Sequence, residues 1–448
     1  MTIFAKYAAL LLAAALSASA ASADASPKAA SAQAPALARG DADRLAALLR
    51  SKQFAAARQS LEGDYERIVT DLITLTEIPA PPFQEKARAT AYMAMLKAEG
   101  LQAVEMDEAG NVMGLRPGNG SDHATKPLLV VAAHLDTVFP EGTDVKVTRE
   151  GNTLRAPGIG DDTSSLPILL AFVRAMERAG FQTDSDILFV GDVGEEGPGD
   201  LRGMKHLFNE GRYKGRIGAF ISFEPGQSGR ITNGGTGSKR YKVTFKGPGG
   251  HSFGAFGLVN PAFAMGNAMV AMGKLTVPAD PKTTYSIGIV EGGTSVNSIP
   301  FETAMTVDMR SNGKAPLEAL EQQFLATLPA AVASENAARS TERGAITFEA
   351  KLIGDRPVGR TDPASKLVRT ASATAAAFGF PTGLGSGSTD SNLPMSLGID
   401  AVTLGSGFQT AHAHALDESL TLDKANDLKA MAAGLATVLQ VAGTPAAK

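Results

Sequence analysis

The sequence contains no cysteine among its 448 residues. A disulfide framework and a lipid attached to cysteine are therefore excluded, and any metal site has to use histidine, aspartate and glutamate. The apolar run near the N-terminus, residues 7–16, is about half as long as the ~20 residues that a membrane-spanning helix needs. The formal net charge is only -4 and the basic residues are scattered, so no binding to nucleic acid or to anionic lipid is expected.

The N-terminal residues have the composition of a secretory signal peptide. A lysine precedes the apolar run, and small residues follow it up to Ala23. Residues 1–23 are therefore predicted to be a signal peptide that is removed from a secreted or periplasmic protein, which then has no membrane attachment. Residues 24–44 are predicted to be a flexible linker, because alanine, serine and proline leave almost no large apolar side chain to bury as far as about Gly40.

The remaining ~400 residues exceed what one hydrophobic core usually supports, which favours two domains. Residues 45–232, beginning with a helix over 45–59, alternate helices with strands of buried type. This alternation predicts an α/β catalytic domain, a mostly parallel sheet flanked by helices. In residues 233–346, strands of period two and helices, one of them over 316–328, predict a smaller inserted α+β domain whose sheet has one open face. The first pattern returns over 347–448, the second part of the catalytic domain.

Two adjacent glutamates, Glu195 and Glu196, follow an apolar run that is typical of a strand buried on both faces. Successive side chains at a strand end point in opposite directions, so one carboxylate can hold a metal while the other moves protons. Most acidic pairs are merely solvated surface. The function of this glutamate pair therefore depends on which other potential ligands in the chain lie near it.

Other predicted strand ends and turns also carry carboxylates or imidazoles. They are His134, Asp136, Asp161, Asp162, Glu224, His412 and His414. Ligands of an open α/β sheet bind in the crevice at the carboxyl ends of its strands, so these side chains converge if the sheet is parallel. A set of histidine, aspartate and glutamate without thiolate suits zinc, manganese or cobalt.

The number of donors favours two divalent ions per subunit. Four terminal ligands are available, namely His134, Glu196, Glu224 and His414. Asp161 has two oxygens and can bridge ions ~3.5–4 Å apart. Asp136 lies two residues after His134 and can orient its imidazole, which leaves Glu195 free to act as a general base.

Five motifs, in this order, resemble those of the M20 family of metallopeptidases, which are co-catalytic zinc exopeptidases and amidohydrolases. They are HLDT from His134, GIGDD ending at Asp162, EEG from Glu195, SFEPG around Glu224, and the spacing from His414 to Glu418. The resemblance implies two catalytic residues, Asp136 and Glu195. It implies five metal ligands, namely His134, Asp161, Glu196, Glu224 and His414. The Glu418 spacing favours His414 over His412 as the ligand.

The inserted segment resembles the lid or dimerisation domain of that family. The similar motifs are GPGGHS with His251, GGTSVNSIP with Asn297, and VDMRS with Arg310. The resemblance implies that these three residues bind substrate, that the protein is a homodimer, and that His251 reaches the neighbouring subunit's site. The stretch GSGSTDSNLPMSLGIDAVTLGSG is more similar to peptidase T-like members than to carboxypeptidase-like ones. Thr163 and Ser164 stand where the family often has Lys-Gly, a departure that bears on substrate preference.

The sequence therefore predicts a secreted two-zinc hydrolase that cleaves the amide bonds of short peptides as an exopeptidase, with Glu195 as general base. Cobalt and manganese suit the same ligands. An N-acyl-amino-acid deacylase would use the same site on a different acyl group. An inactive binding protein on the same scaffold would have lost a ligand or the general base, and neither is lost.

Overall fold

The computed structural model describes residues 33–119, 122–123 and 126–444. The predicted signal peptide and the first part of the predicted linker lie outside these residues. Within the described part, no helix combines the length and the apolar character needed to cross a membrane.

The helices and strands alternate along most of the chain. The α-helices are α1 (Arg39–Arg50), α2 (Lys52–Gly63), α3 (Tyr65–Thr76), α4 (Lys86–Ala98), α5 (Leu166–Arg178), α6 (Arg202–Asn209), α7 (Pro261–Met272), α8 (Lys314–Ala338), α9 (Lys366–Ala377), α10 (Asn392–Ser396) and α11 (Lys424–Ala442). The strands are β1 (Gln102–Met106), β2 (Val112–Arg116), β3 (Leu128–His134), β4 (Thr148–Glu150), β5 (Thr153–Arg155), β6 (Asp186–Asp192), β7 (Ile217–Glu224), β8 (Arg230–Gly235), β9 (Gly237–Lys246), β10 (Gly250–His251), β11 (Thr283–Gly292), β12 (Ser298–Ile299), β13 (Glu302–Ser311), β14 (Thr347–Arg356), β15 (Gly359–Arg360), β16 (Gly383–Gly387), β17 (Asp400–Gly405), β18 (Gln409–Ala411) and β19 (Ser419–Thr421).

The main sheet has nine strands in the order β1-β2-β6-β3-β7-β17-β8-β15, with β16 paired to β8. Its centre is parallel, because β3 pairs in parallel with both β6 and β7, and β7 pairs in parallel with β17. Antiparallel pairs flank this centre. The predicted α/β class with a mostly parallel sheet is confirmed.

Helices cover both faces of the main sheet, so its central strands are apolar on both sides. In β3, Leu129 and Val131 pack into a core with α2, α3, α4, α5, α9 and α11, whereas Val130 and Ala132 pack into a second core with α6 and α10. Parallel central strands bring their carboxyl ends to one edge of the sheet. His134 at the end of β3 lies opposite Asp192 at the end of β6.

A second sheet, here called the lid sheet, has four antiparallel strands in the order β11-β13-β9-β14. One face packs on α7 and α8 through a separate core that contains Val243, Met305 and Phe324. The other face carries polar and charged side chains such as Lys242 and Asp308. Alternation of apolar and polar residues along these strands accounts for one packed and one open face.

Several predicted boundaries differ from the structure. The linker does not extend to residue 44, because α1 begins at Arg39 and buries Leu45 and Leu48. The single helix over 45–59 is two helices, since the Ser51 hydroxyl accepts a hydrogen bond from the Phe54 amide and starts a new one. The inserted segment does not end at 346, because β14 pairs with β9 in the lid sheet.

Candidate metal centre

The carboxyl edge of the parallel strands gathers the predicted ligands. His134 ends β3, Glu224 ends β7, and Glu196 follows β6 after a short turn. Asp161 comes from the turn between β5 and α5, and His414 from the loop between β18 and β19. All five side chains belong to groups of ligand atoms that lie within 4.8 Å of one another.

Asp161 lies at the centre of the cluster and directs one oxygen to each imidazole. Its Oδ1 is 3.2 Å from Nε2 of His134, and its Oδ2 is 3.2 Å from Nε2 of His414. Glu224 Oε2 stands 3.8 Å from the His134 nitrogen, and Glu196 Oε1 stands 2.9 Å from the His414 nitrogen. The cluster therefore has two halves that share Asp161, the arrangement expected of a bridging carboxylate.

The main chain around Asp161 is held by Glu418, a buried residue. Glu418 Oε1 accepts hydrogen bonds from the amides of Gly160 and Asp161 at 2.9 and 2.8 Å, and its Oε2 accepts one from Gly158 at 2.8 Å. Sequence reasoning used this glutamate only as a spacing marker for His414. In the structure it fixes the turn that presents the Asp161 carboxylate.

Asp136 plays a different part from the one predicted. His134 Nδ1 is 3.0 Å from the Asp136 carbonyl oxygen and 3.7 Å from its carboxylate, so the main chain, not the side chain, orients the imidazole. The Asp136 carboxylate instead accepts from the amides of Gly194, Glu195 and Glu196, at 2.8, 3.1 and 2.8 Å. It thereby anchors the segment that carries both glutamates.

Glu195 is buried beside the cluster and is paired with Arg356. Arg356 Nη1 donates to Glu195 Oε1 over 2.8 Å, and Nη2 donates to the Glu195 carbonyl oxygen. Burial raises the pKa of Glu195 well above its usual range, while the positive charge of Arg356 opposes that rise. Arg356 ends β14, 161 residues away along the chain. No local motif marks it, and sequence reasoning missed it.

The choice between the two loop histidines is visible in their contacts. His414 joins the cluster, and its hydrogen bonds to Asp161 and Glu196 raise its pKa to about 10. His412 instead bonds Asp417 over 2.7 Å at an exposed position. The structure thus brings His414, and not His412, to the other predicted ligands.

The three predicted substrate-binding residues do not join the cluster within one subunit. The His251 Nδ1 accepts hydrogen bonds from the amides of Phe253 and Gly254, and its side chain is exposed. Asn297 is adjacent in space, since its carbonyl oxygen accepts from the Ser252 amide at 2.8 Å. Arg310 lies on the open face of the lid sheet, paired with Asp308.

The donor set fits divalent cations. Three carboxylates and two imidazoles meet there, and burying that many acids without a compensating charge is unfavourable. Each imidazole presents Nε2 toward the cluster, as a metal ligand would. Ligation by His414 requires loss of its proton, so binding of a cation there should release protons.

The chain is similar to known proteins both in sequence and in fold. Residues 130–441 match the model of Peptidase family M20/M25/M40. An Aspergillus clavatus protein named "probable carboxypeptidase" is 26% identical over 291 residues, which are 57% of this chain and 62% of that protein. The match thus spans less than two thirds of that relative.

Solved structures share the fold at low sequence identity. The aminopeptidase PepT from Bacillus cereus superposes with a TM-score of 0.66 at 20% identity, covering 84% of this chain and 98% of that one. Human carnosine dipeptidase 1 superposes with a TM-score of 0.65 at 14% identity, covering 87% of this chain and 99% of that one. Nearly the whole length of each of these two proteins superposes on this chain.

Proposed function

Because the chain belongs to Peptidase family M20/M25/M40, a family of metal-dependent hydrolases, we propose that it is an exopeptidase that removes residues from short peptides with two divalent ions bound. His134 and Glu224 would hold one ion, Glu196 and His414 the other, and Asp161 both. The observation that carries the proposal is the position of Asp161, whose two oxygens each lie 3.2 Å from a different imidazole. Zinc suits these donors, and cobalt and manganese are compatible with them.

Two divalent ions in this place supply Lewis acidity, which polarises a substrate carbonyl and makes water more acidic. Glu195 is the residue that moves the proton. Its Oε1 is taken by Arg356, whereas Oε2 accepts no hydrogen bond from any other residue that the structure describes. Oε2 is therefore the atom that would take a proton from the attacking water and pass it to the leaving nitrogen.

The remaining contacts keep the carboxylates in place during that transfer. Asp136 holds the amides of residues 194–196, so Glu195 and Glu196 are presented from one fixed segment. Arg356 holds the side chain and the carbonyl of Glu195 at once. A group fixed in this way loses little conformational freedom when it reacts.

A homodimer is part of the proposal. The lid sheet has an edge strand, β11, with Ile289 and Val290 about half exposed, at 54% and 51%. The loop after His251 carries Phe253 and Phe256, each 90% exposed. Exposed aromatic rings and an unpaired strand edge support association with a second copy, which would carry His251 toward the partner's cluster.

Export from the cytoplasm is also proposed, on the composition of residues 1–23. Mass spectrometry of the protein produced in a bacterial host with a secretion pathway tests it. A periplasmic product that begins near residue 24 supports export. A full-length product confined to the cytoplasm contradicts it.

The enzymatic proposal is tested with the mature protein freed of metal and then loaded with zinc, manganese or cobalt. The substrates are a mixed set of dipeptides, tripeptides and N-acyl amino acids. Hydrolysis of the peptides with about two ions per subunit is expected. Cleavage of the N-acyl amino acids alone would favour the deacylase instead. Activity that withstands chelators, with less than one ion per subunit, would rule out the two-metal reaction.

A further inference from the structure

A fully buried arginine lies next to two of the segments that carry proposed ligands. Arg88, on α4, is 0% exposed and donates four hydrogen bonds, all of them to uncharged oxygen atoms. Among the described residues, no carboxylate forms an ion pair with it. Burying a charge without an ion-pair partner is unfavourable by several kcal/mol. The presence of this arginine therefore has to be explained by what its hydrogen bonds hold in place.

One nitrogen atom of Arg88 joins two of these segments. Its Nη1 donates to the carbonyl oxygen of Leu135 over 2.9 Å and to Thr163 Oγ1 over 3.1 Å. Leu135 directly follows His134 at the end of β3, and Thr163 lies two residues after Asp161 in the turn before α5. The two segments that Arg88 joins thus carry the two ligands that are proposed to hold the same ion.

Thr163 passes this contact on to the turn that presents Asp161. Its Oγ1 also donates to the carbonyl oxygen of Gly158 over 2.6 Å, which closes the turn over residues 158–163. Glu418 accepts hydrogen bonds from three amides of the same turn. The turn is therefore held by two buried side chains, one that accepts from its amides and one that reaches it through Thr163.

The remaining contacts fix the plane and the charge of the guanidinium group. Nε donates to the carbonyl oxygen of Ile78 over 2.9 Å, and Nη2 to that of Thr76 over 3.4 Å. Burial lowers the pKa of Arg88 to about 10, and the negative charge of Asp136 opposes that fall. The group therefore stays charged near neutral pH and balances part of the charge of the buried Asp136 carboxylate.

We propose that Arg88 is a positioning residue, which holds the proposed ligands His134 and Asp161 in place for one metal ion. It acts through the Leu135 carbonyl and the Thr163 hydroxyl and is not itself a ligand. The inference rests on the proposed function, because it concerns the same metal centre. Sequence reasoning missed Arg88 and treated Thr163 only as a departure from the family motif.

The first test compares Arg88→Lys with Arg174→Lys. Lysine keeps the charge but cannot donate to several acceptors from one rigid plane, so zinc affinity, measured by competition with a chelator, should fall at least roughly 10-fold in Arg88→Lys. Arg174, 4% exposed on α5, bonds Asp64 and Glu99 and is the matched control. Its replacement should lower the unfolding free energy in urea but leave zinc affinity unchanged. Equal zinc affinities in the two variants would overturn the proposal.

Hydrogen exchange of the metal-free protein gives a second readout. Relative to the rest of the chain, the amides of residues 158–163 should exchange faster in Arg88→Lys than in wild type, because the turn has lost one of its two supports. Arg174→Lys should show no such local change. Exchange over 158–163 that is the same in Arg88→Lys and wild type would overturn the positioning role.

A further variant covers the case in which Arg88→Lys does not fold. Thr163→Val removes the hydroxyl that Arg88 contacts and should also weaken zinc binding roughly 10-fold, whereas Thr374→Val, at a buried position on α9, should not. Unchanged zinc affinity in Thr163→Val would contradict the proposal.

The zinc measurements also separate this inference from the proposed function. Weaker zinc binding by Arg88→Lys, in a protein that hydrolyses no peptide, would overturn the peptidase proposal alone. Peptide hydrolysis by a wild type whose zinc affinity equals that of Arg88→Lys would overturn the positioning role alone.

Discussion

Arg356 Nη1 lies 2.8 Å from Glu195 Oε1, so a residue of the lid sheet touches the proposed general base of the main sheet. The same guanidinium group donates to the Glu195 carbonyl oxygen and to Ser388 Oγ, the latter at 3.1 Å. Both side chains are buried. The placement of Glu195 therefore depends on an arginine that the lid sheet supplies.

Arg356→Lys tests this dependence. Lysine keeps the charge but cannot span the side chain and the carbonyl of Glu195 together, so kcat should fall by roughly 10- to 100-fold. Bound metal should stay at the wild-type level. Lys351→Gln, exposed on the same strand, is the control. An unchanged kcat would show that Glu195 needs no support from the lid sheet.

Glu418→Gln should weaken metal binding although it changes no proposed ligand side chain. The carboxylate of Glu418 accepts three amide hydrogen bonds around Asp161, and glutamine would turn an N–H group toward donors. We expect at least 10-fold weaker zinc affinity and a loss of about 2 kcal/mol in unfolding free energy. The neighbouring Asp417→Asn, at an exposed position beside His412, should change neither. Zinc affinity equal in the two variants would contradict this role.

Asp427, which is not one of the proposed metal ligands, should make the stability of the protein depend on pH. Burial raises its pKa to about 6, and Tyr65 Oη donates to its Oδ2 over 2.6 Å. The folded state then holds the proton more tightly than the unfolded state, whose carboxyl has the ordinary value of 3.8. The contribution of Asp427 to stability therefore falls as pH rises from about 4 to about 6.

Asp427→Asn stays uncharged and should remove that slope. Urea unfolding at pH 4.5 and pH 7 should show that the wild type loses about 2 kcal/mol more than the variant between the two values. Asp43→Asn, on the exposed side of α1, controls for the change of net charge. Parallel pH curves for wild type and Asp427→Asn would refute the assignment.

Mixing two inactive variants tests the proposed dimer. His251→Ala and Glu195→Gln homodimers should each be nearly inactive. Because a hybrid dimer would combine the intact cluster of one subunit with the intact His251 of the other, random exchange should restore about a quarter of wild-type activity. Light scattering verifies the dimer, and co-purification through different affinity tags on the two variants verifies the hybrids. No recovery from verified hybrids would place His251 in the site of its own subunit.

The features of the fold and the site that the sequence predicts are those that depend on a local pattern of residues. The apolar runs before His134, Glu195 and Glu224 marked the parallel strands, and the strand ends located the crevice. The family resemblance, and with it the peptidase class, is confirmed by the match over residues 130–441. The roles of individual site residues stay predictions, although the structure brings the five proposed ligands together.

The features that the sequence does not predict depend on contacts between residues that lie far apart along the chain. Arg356 reaches Glu195 because β14 joins the lid sheet, a register that no single motif encodes. Similarly, α8 was expected to end at residue 328 before Pro329, yet the helix continues to Ala338. Buried Ala331 and Val332 keep its apolar face packed, which offsets the hydrogen bond that proline cannot make.

The central claim is the division of labour between Glu195 and Glu196, and one paired measurement of metal content and turnover tests it directly. Glu195→Gln keeps the shape of the side chain but cannot take a proton, so hydrolysis should fall by at least ~10²–10⁴-fold while bound metal stays near the wild-type level. Glu196→Gln should first lower metal affinity, and excess zinc should restore part of its activity. The reverse pattern, or full turnover by Glu195→Gln, would contradict the account.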